Sequence, residues 1–292
     1  MLKDTFFQSK NTLNCKGKII NLSSPVVMGI MNLGPDSFYD GGKYQTKLDV
    51  IKKADQLLSE GASIIDMGAA STRPGAHIID ERTERRRLMP ALDIVLENFP
   101  HAVISIDTYN AGIAKEAIEK GAHIINDISA GEIDDKMYDT IASLQVPYII
   151  MHMKGTPETM QDNPVYDDPV KEIAYYFSKK VDQLRQRGVH DIVIDPGFGF
   201  GKNLDDNYRI LNQLDYFKIL EQPLLVGVSR KSMINKVLKT SPAEALNGTT
   251  VLNTVALQKG ASILRVHDVK QAVETIKITR KLLDTAGQPT TI

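Results

Sequence analysis

Nine side chains able to do acid–base, hydrogen-bonding or anion-binding chemistry stand at or just beyond the ends of short apolar runs: Asn32, Asp66, Asp107, Asn126, His152, Asp195, Lys231, Arg265 and His267. Asp107 closes the run AVISID and can accept hydrogen bonds from an amino-substituted heterocycle. Asn126 and Asp195 can complete such a socket, because the polar edge of a buried ligand needs partners. Asp107 capping a helix that begins near Asn110 is the lesser alternative, while for Asn126 and Asp195 a structural role weighs about evenly with a functional one. Arg265 and His267 are two residues apart and face the same side if the chain there is extended. With Lys231 and Asn32 they bring donors and positive charge that could hold an oxyanion, and Asn32 also offers an oxygen to Mg²⁺. His152 and Met153 open the polar segment HMKGTPETMQ as candidate ligand-facing residues. Met153 suits a flat ring, and it suits ordinary core equally well.

These groups need a scaffold that brings strand ends to one place. A junction recurs along the chain, in which a polar helical end is followed by Gly, a small residue and a short apolar run: EGASIIDMG, KGAHIINDIS, RGVHDIVIDPG and KGASILRVHD. Its glycines, at 61, 121, 188 and 260, fit helix C-caps and lie 60, 67 and 72 residues apart, enough for two βα units per interval. The runs after them are short and rich in Ile and Val, as buried parallel strands are. Further strands fit 26–31, 102–107, 147–152 and 223–228, for eight in all. Helical periodicity fits 47–60, 85–98, 110–120, 134–144, 168–187, 204–213, 242–259 and 268–284. Eight strand–helix alternations predict an α/β fold, a TIM (β/α)8 barrel, whose strand carboxyl ends converge on a mouth. A doubly wound sheet is the competing solution. Residues 12–22 fit a short N-terminal hairpin over the barrel floor.

The 292 residues allow two domains by length, but eight regular units use the whole of 1–292 as one domain. A hydrophobic content of 42% supports a large core, and a formal net charge of -1 gives no reason to expect nucleic acid or an anionic membrane as partner. The start, MLKDTFFQSK, does not resemble a signal peptide and no run approaches a membrane span, so a cytoplasmic protein is expected. The single cysteine, Cys15, excludes a disulfide framework and reads as a non-catalytic thiol. The run ERTERRRLMP reads as a solvated helix face with local ion pairs. Neither DPGFGFGK nor the other glycine-rich loops match a Walker A loop or a GxGxxG helix opening.

Eight segments in barrel order, GIMNLGPDSFYDGG, GASIIDMGAASTRPGA, ISIDTY, GAHIINDIS, MHMKGTPETMQ, DPGFGFGK, GVSRKS and LRVHD, together resemble the dihydropteroate synthase family from about residue 26 to 270. The resemblance implies a folate-biosynthetic transfer: a dihydropterin diphosphate is joined to 4-aminobenzoate, giving dihydropteroate and diphosphate. It implies Asp107, Asn126, Asp195 and Lys231 as the pterin-binding set, with Met153 packing nearby. Asn32, Arg265 and His267 resemble the diphosphate and Mg²⁺ set, with Asn32 the metal ligand. Thr72, Arg73 and Pro74 resemble the second loop and Phe38 the first. Phe200, Lys231 and Ser232 resemble the aminobenzoate side, Ser232 near a helix N-terminus. Asp107, Lys231, Arg265 and His267 are the expected catalytic residues, Mg²⁺ the expected cofactor, and a homodimer the expected assembly. Three departures fall in loops: Gly34 and Ala70 stand where the family commonly carries a hydroxyl and a carboxylate, and Tyr39 where a small residue is common. A pterin-binding methyltransferase domain and a catalytically weak pterin-binding paralogue are the competing readings.

Overall fold

Ile- and Val-rich runs pair in parallel wherever the junction pattern calls for a strand. The computed structural model describes residues 10–34, 47–69, 79–156, 160 and 164–285. An antiparallel hairpin, β1 (Thr12–Cys15) and β2 (Lys18–Asn21), precedes the eight parallel strands. These are β3 (Val26–Asn32), β4 (Ile64–Gly68), β5 (Ile104–Asp107), β6 (Ile124–Asp127), β7 (Tyr148–Met151), β8 (Ile192–Asp195), β9 (Leu225–Val226) and β10 (Ile263–Val266). Strands β3 to β8 pair in chain order, β10 pairs with β3 and with β9, and a parallel bridge between Ile194 and Leu224 joins β8 to β9. The sheet therefore closes into the expected barrel.

Around it lie α1 (Lys47–Ser59), α2 (Glu81–Asn98), α3 (Ala111–Lys120), α4 (Met137–Leu144), α5 (Pro169–Gln186), α6 (Leu204–Asn212), α7 (Ser232–Leu238), α8 (Leu246–Gln258) and α9 (Val269–Thr285). Gly61, Gly121, Gly188 and Gly260 all have positive φ, as their junction positions require. Several boundaries differ from the sequence expectation, two helix starts by four residues. Helix α2 begins four residues before the expected 85, because Asp80 caps it by accepting from Thr83 N at 2.9 Å. The expected 242–259 helix is a short 3₁₀ turn, Pro242–Glu244, followed by α8, and the seven-residue α7 precedes it.

Alternate residues of each strand point into the barrel. At the floor, Met28, Ile64, Ile124, Ile149, Val193, Leu225 and Ile263 pack with Leu13, Cys15, Ile20 and Leu22 of the hairpin segment. The hairpin thus plugs the barrel at the amino ends of the strands. Cys15 is fully buried there, and burial pushes its thiol up to about 12, so it stays protonated and unreactive at neutral pH. Among the described residues, no helix is long and apolar enough to cross a membrane.

Candidate active site

The same two-residue alternation carries polar side chains up from the apolar floor. One step above Ile64, Ile124, Val193 and Ile263 stand Asp66, Asn126, Asp195 and Arg265. The strand register sets Gly68 beside Asp107 and Asp107 beside Asn126. Arg265 bridges two carboxylates, donating from Nε to Asp66 Oδ2 and from Nη2 to Asp107 Oδ2, each at 2.6 Å. Asn126 Nδ2 donates to the same Asp66 oxygen at 3.0 Å. Asp66 is fully buried, and its Oδ1 has no hydrogen-bond partner among the described residues. The strand-end reading noted Asp66 without assigning it to the site. The structure makes it the residue on which Arg265 and Asn126 meet.

Burial would lower the Arg265 guanidinium, but Asp66 and Asp107 more than offset it and leave the group firmly charged. Burial pushes Asp107 up to about 7; Arg265 opposes the rise, while Asp66 and Glu84 add to it. Glu84, a member of the charged run on α2, is itself fully buried rather than solvated, and burial pushes it up to about 7. Arg85 does behave as a surface group, pairing with Glu81 at 2.6 Å and Glu116 at 2.7 Å. The capping alternative for Asp107 does not hold, because Asn110 occupies the N-cap position of α3 and Asp107 is engaged by Arg265.

Lys231 enters from the far side of the mouth. Its Nζ donates to Phe198 O and lies 4.7 Å from the centre of the Phe200 ring. Burial pushes it down to about 8, against the pull of Asp195. Asp195 is pushed up by burial and accepts from Gly197 N at 2.8 Å. The turn presenting Lys231 is fixed by its neighbour Arg230, whose backbone is left-handed at φ 58°. Arg230 grips Asp268 with two hydrogen bonds of 2.9 and 2.6 Å, and its N donates to Thr249 Oγ1. Ser232 follows as the first residue of α7, exposed to solvent.

His267 lies on the Arg265 side, as their spacing requires, with part of its surface open to solvent. Local desolvation, then Arg265 and Arg230, push its imidazole down. Ser229 Oγ receives the His267 N–H at 3.2 Å and lies 3.0 Å from Nδ1. Where the Ser229 hydroxyl donates to Nδ1, the ring carries a proton on Nε2 and offers it as a hydrogen-bond donor. Asn32 ends β3 in an exposed position. Met153 joins Tyr109, Ile128, Met151, Met160 and Phe200 in an apolar cluster at the mouth. His152 does not join them. It faces away from the barrel axis, boxed by Tyr176 at 4.9 Å, Tyr166 at 6.2 Å and the buried Lys202. Phe38, Thr72, Arg73 and Pro74 lie outside the described residues, as does Ala70.

A parallel barrel that collects carboxylates, an amide and an arginine at one mouth is a setting for a polar, nitrogen-rich ligand, and residues 28–267 match the family of pterin binding enzymes. The chain is 41% identical over 273 residues to dihydropteroate synthase of Escherichia coli (strain K12), a match covering 93% of this chain and 96% of that protein. A crystal structure of the Yersinia pestis dihydropteroate synthase with a sulfonamide drug complex superposes with a TM-score of 0.89 at 38% identity, covering 94% of this chain and 99% of that one. The Xanthomonas albilineans dihydropteroate synthase with 4-aminobenzoic acid gives a TM-score of 0.88 at 34% identity, covering 97% and 100%. The chain belongs to the dihydropteroate synthase family and is a transferase of folate biosynthesis.

Proposed function

We propose that the chain joins (7,8-dihydropterin-6-yl)methyl diphosphate to 4-aminobenzoate, releasing diphosphate and giving 7,8-dihydropteroate. The observation that carries this reading is the buried Asp66–Arg265–Asp107 bridge with Asn126 on the same carboxylate, at the mouth of a barrel of this family. The Xanthomonas relative, solved with 4-aminobenzoic acid, supports the second substrate. Asp107, Asn126, Asp195 and Lys231 hold the pterin, and Met153 packs near it. Phe200, Lys231 and Ser232 serve the aminobenzoate side. Phe38, Thr72, Arg73 and Pro74 enter only through the resemblance.

The carbon–oxygen bond breaks first, and its electron pair leaves on the diphosphate oxygen. Positive charge then spreads over the pterin beside Asp107, whose carboxylate is held in place by Arg265 before the charge develops. Arg265 and the His267 Nε2–H meet the departing diphosphate. The lone pair of the aromatic amine forms the new carbon–nitrogen bond, and the resulting ammonium then releases its proton to solvent. That amine is already neutral near pH 7, so its attack needs no strong general base. Cys15, buried at the floor, takes no part.

The donor chemistry of Asn32 fits Mg²⁺. That ion takes hard oxygen ligands and keeps waters and phosphate oxygens around it, so the Asn32 side-chain oxygen would hold it together with the substrate's own oxygens. When bound, it supplies neutralisation of the leaving diphosphate. We place the enzyme in the cytoplasm, where a lone reduced thiol such as Cys15 is ordinary, and read it as a homodimer with no nucleic-acid or membrane partner.

The deciding experiment incubates purified protein with the pterin diphosphate, 4-aminobenzoate and Mg²⁺ and follows dihydropteroate and diphosphate. Equal release of the two products is expected, with turnover falling when Mg²⁺ is chelated. Methyl transfer from methyltetrahydrofolate to a corrinoid, with no dihydropteroate formed, would overturn the reading. Ligand binding without product would mark a weak paralogue instead.

A further inference from the structure

We propose that Lys202 is a positioning residue for the aminobenzoate side of the site, tying the loop after β8 to the loop after β7 and so fixing Phe200 and the Phe198 carbonyl around Lys231. The inference rests on the assignment of Phe200 to that side.

Lys202 ends the segment DPGFGFGK and is only 3% exposed, an unusual state for a lysine. Its Nζ lies 2.9 Å from Phe200 O, 3.1 Å from His152 O and 3.0 Å from His152 Nδ1. As an ammonium its three N–H bonds match three acceptors, two from the loop after β7 and one from its own loop. Burial pushes both Lys202 and His152 well down, and Asp195 is the charge that most favours a protonated Lys202. A neutral His152 leaves Nδ1 able to accept. With its donors used in this way, Lys202 does not reach a ligand.

The two loops also dovetail along their backbones. A Cβ at Gly197 would collide with the His152 carbonyl, and one at Gly201 with the Lys154 carbonyl. Tyr166, from the segment leading into α5, donates its hydroxyl to Gly201 O at 2.6 Å. Between these ties lie the two groups that meet Lys231: the Phe198 carbonyl and the Phe200 ring. Replacing Lys202 with an apolar side chain leaves the His152 and Phe200 carbonyls without that donor, and the loop loses its buried anchor.

The test compares steady-state kinetics of the full chain with those of Lys202→Met, Tyr166→Phe, Phe200→Ala and the K202M/F200A pair. K202M is expected to raise KM for 4-aminobenzoate about ten-fold and to leave KM for the pterin diphosphate within about two-fold. Y166F, which removes the second tie, should move the same KM in the same direction by less. F200A should also raise it, and the pair should be no worse than F200A alone, because both changes act through one ring. Equal rises in both KM values for K202M, no rise at all, or additive losses in the pair would overturn the proposal. Should F200A leave KM for 4-aminobenzoate unchanged, the assignment of Phe200 is wrong and the proposal falls with it. If K202M does not fold, Y166F decides: a selective rise supports the tie, and unchanged or parallel KM values overturn it.

Discussion

Asp107 and Lys231 set opposite limits on the pH range in which the mouth is correctly charged. Asp107, raised to about 7, loses its negative charge as pH falls below that value. Lys231, lowered to about 8, loses its cation as pH rises above it. A narrow bell in kcat/KM for the pterin diphosphate follows, with limbs near these two values. Asp66 raises Asp107 through like charge, so Asp66→Asn should move the acid limb to lower pH. The same change frees Arg265 from one of its two carboxylates and should raise KM. A pH profile whose acid limb stays put or moves up would contradict this coupling. Arg265, His267, Asp107 and Asn126 were legible as site candidates because a two-residue period carries strand residues to one mouth. The role of Asp66 was not, since its partner lies 199 residues away and meets it only when the barrel closes. Glu84 looked like one more charge on a solvated face, and its burial depends on how α2 lies against the barrel. The lowering of His267 was not legible either, because it comes from desolvation and from Arg265 and Arg230, which the closed fold gathers beside it.

At the scale of elements, capping chemistry and apolar runs make most of the barrel legible in the chain itself. Asp168 and Pro169 start α5, where Asp168 accepts from Val170 N and Lys171 N. Helix α7 escaped because seven residues, Ser232–Leu238, are too few for a helical period to stand out. The first turn of α2 escaped because its side chains are mostly charged, although Asp80 and Thr83 carried a capping signal. The hairpin, only loosely placed by the sequence, closes the floor with its inward side chains Leu13 and Ile20. Leu13 is fully buried there, so Leu13→Ala should cost about 2–5 kcal/mol in chemical denaturation, the sum of lost transfer energy and a cavity. In this architecture the floor serves stability and the opposite end serves chemistry, so kcat/KM should stay within about two-fold of the parent. A large fall in kcat/KM for L13A under conditions where the protein is folded would show that floor and mouth are coupled.

For the whole molecule, the question is whether one copy is the working unit. Every site residue placed by the structure comes from a single chain, so chemistry alone does not require a partner. The surface points the other way. Scattered exposed apolar residues are ordinary, but six of the twelve exposed large hydrophobic side chains among the described residues lie on the consecutive helices α7, α8 and α9. They are Val237, Leu238, Val251, Ile278, Leu282 and Leu283, with Ile278 72% exposed and Val251 53% exposed. A twofold contact through one face needs each copy to bury only about 800 Å², which a patch on neighbouring helices can supply. In sedimentation at micromolar concentration the chain, 32.4 kDa alone, should therefore run as a dimer. Val251→Glu combined with Ile278→Glu should shift it to monomer, because two carboxylates per copy would have to be desolvated across the interface. Since the site is built within one chain, the monomeric variant should keep kcat/KM within about three-fold, as expected for changes remote from the reacting groups. A parent protein that sediments as a monomer would remove the dimer from this reading. A monomeric variant that is folded but inactive would instead make the second copy part of the catalytic unit.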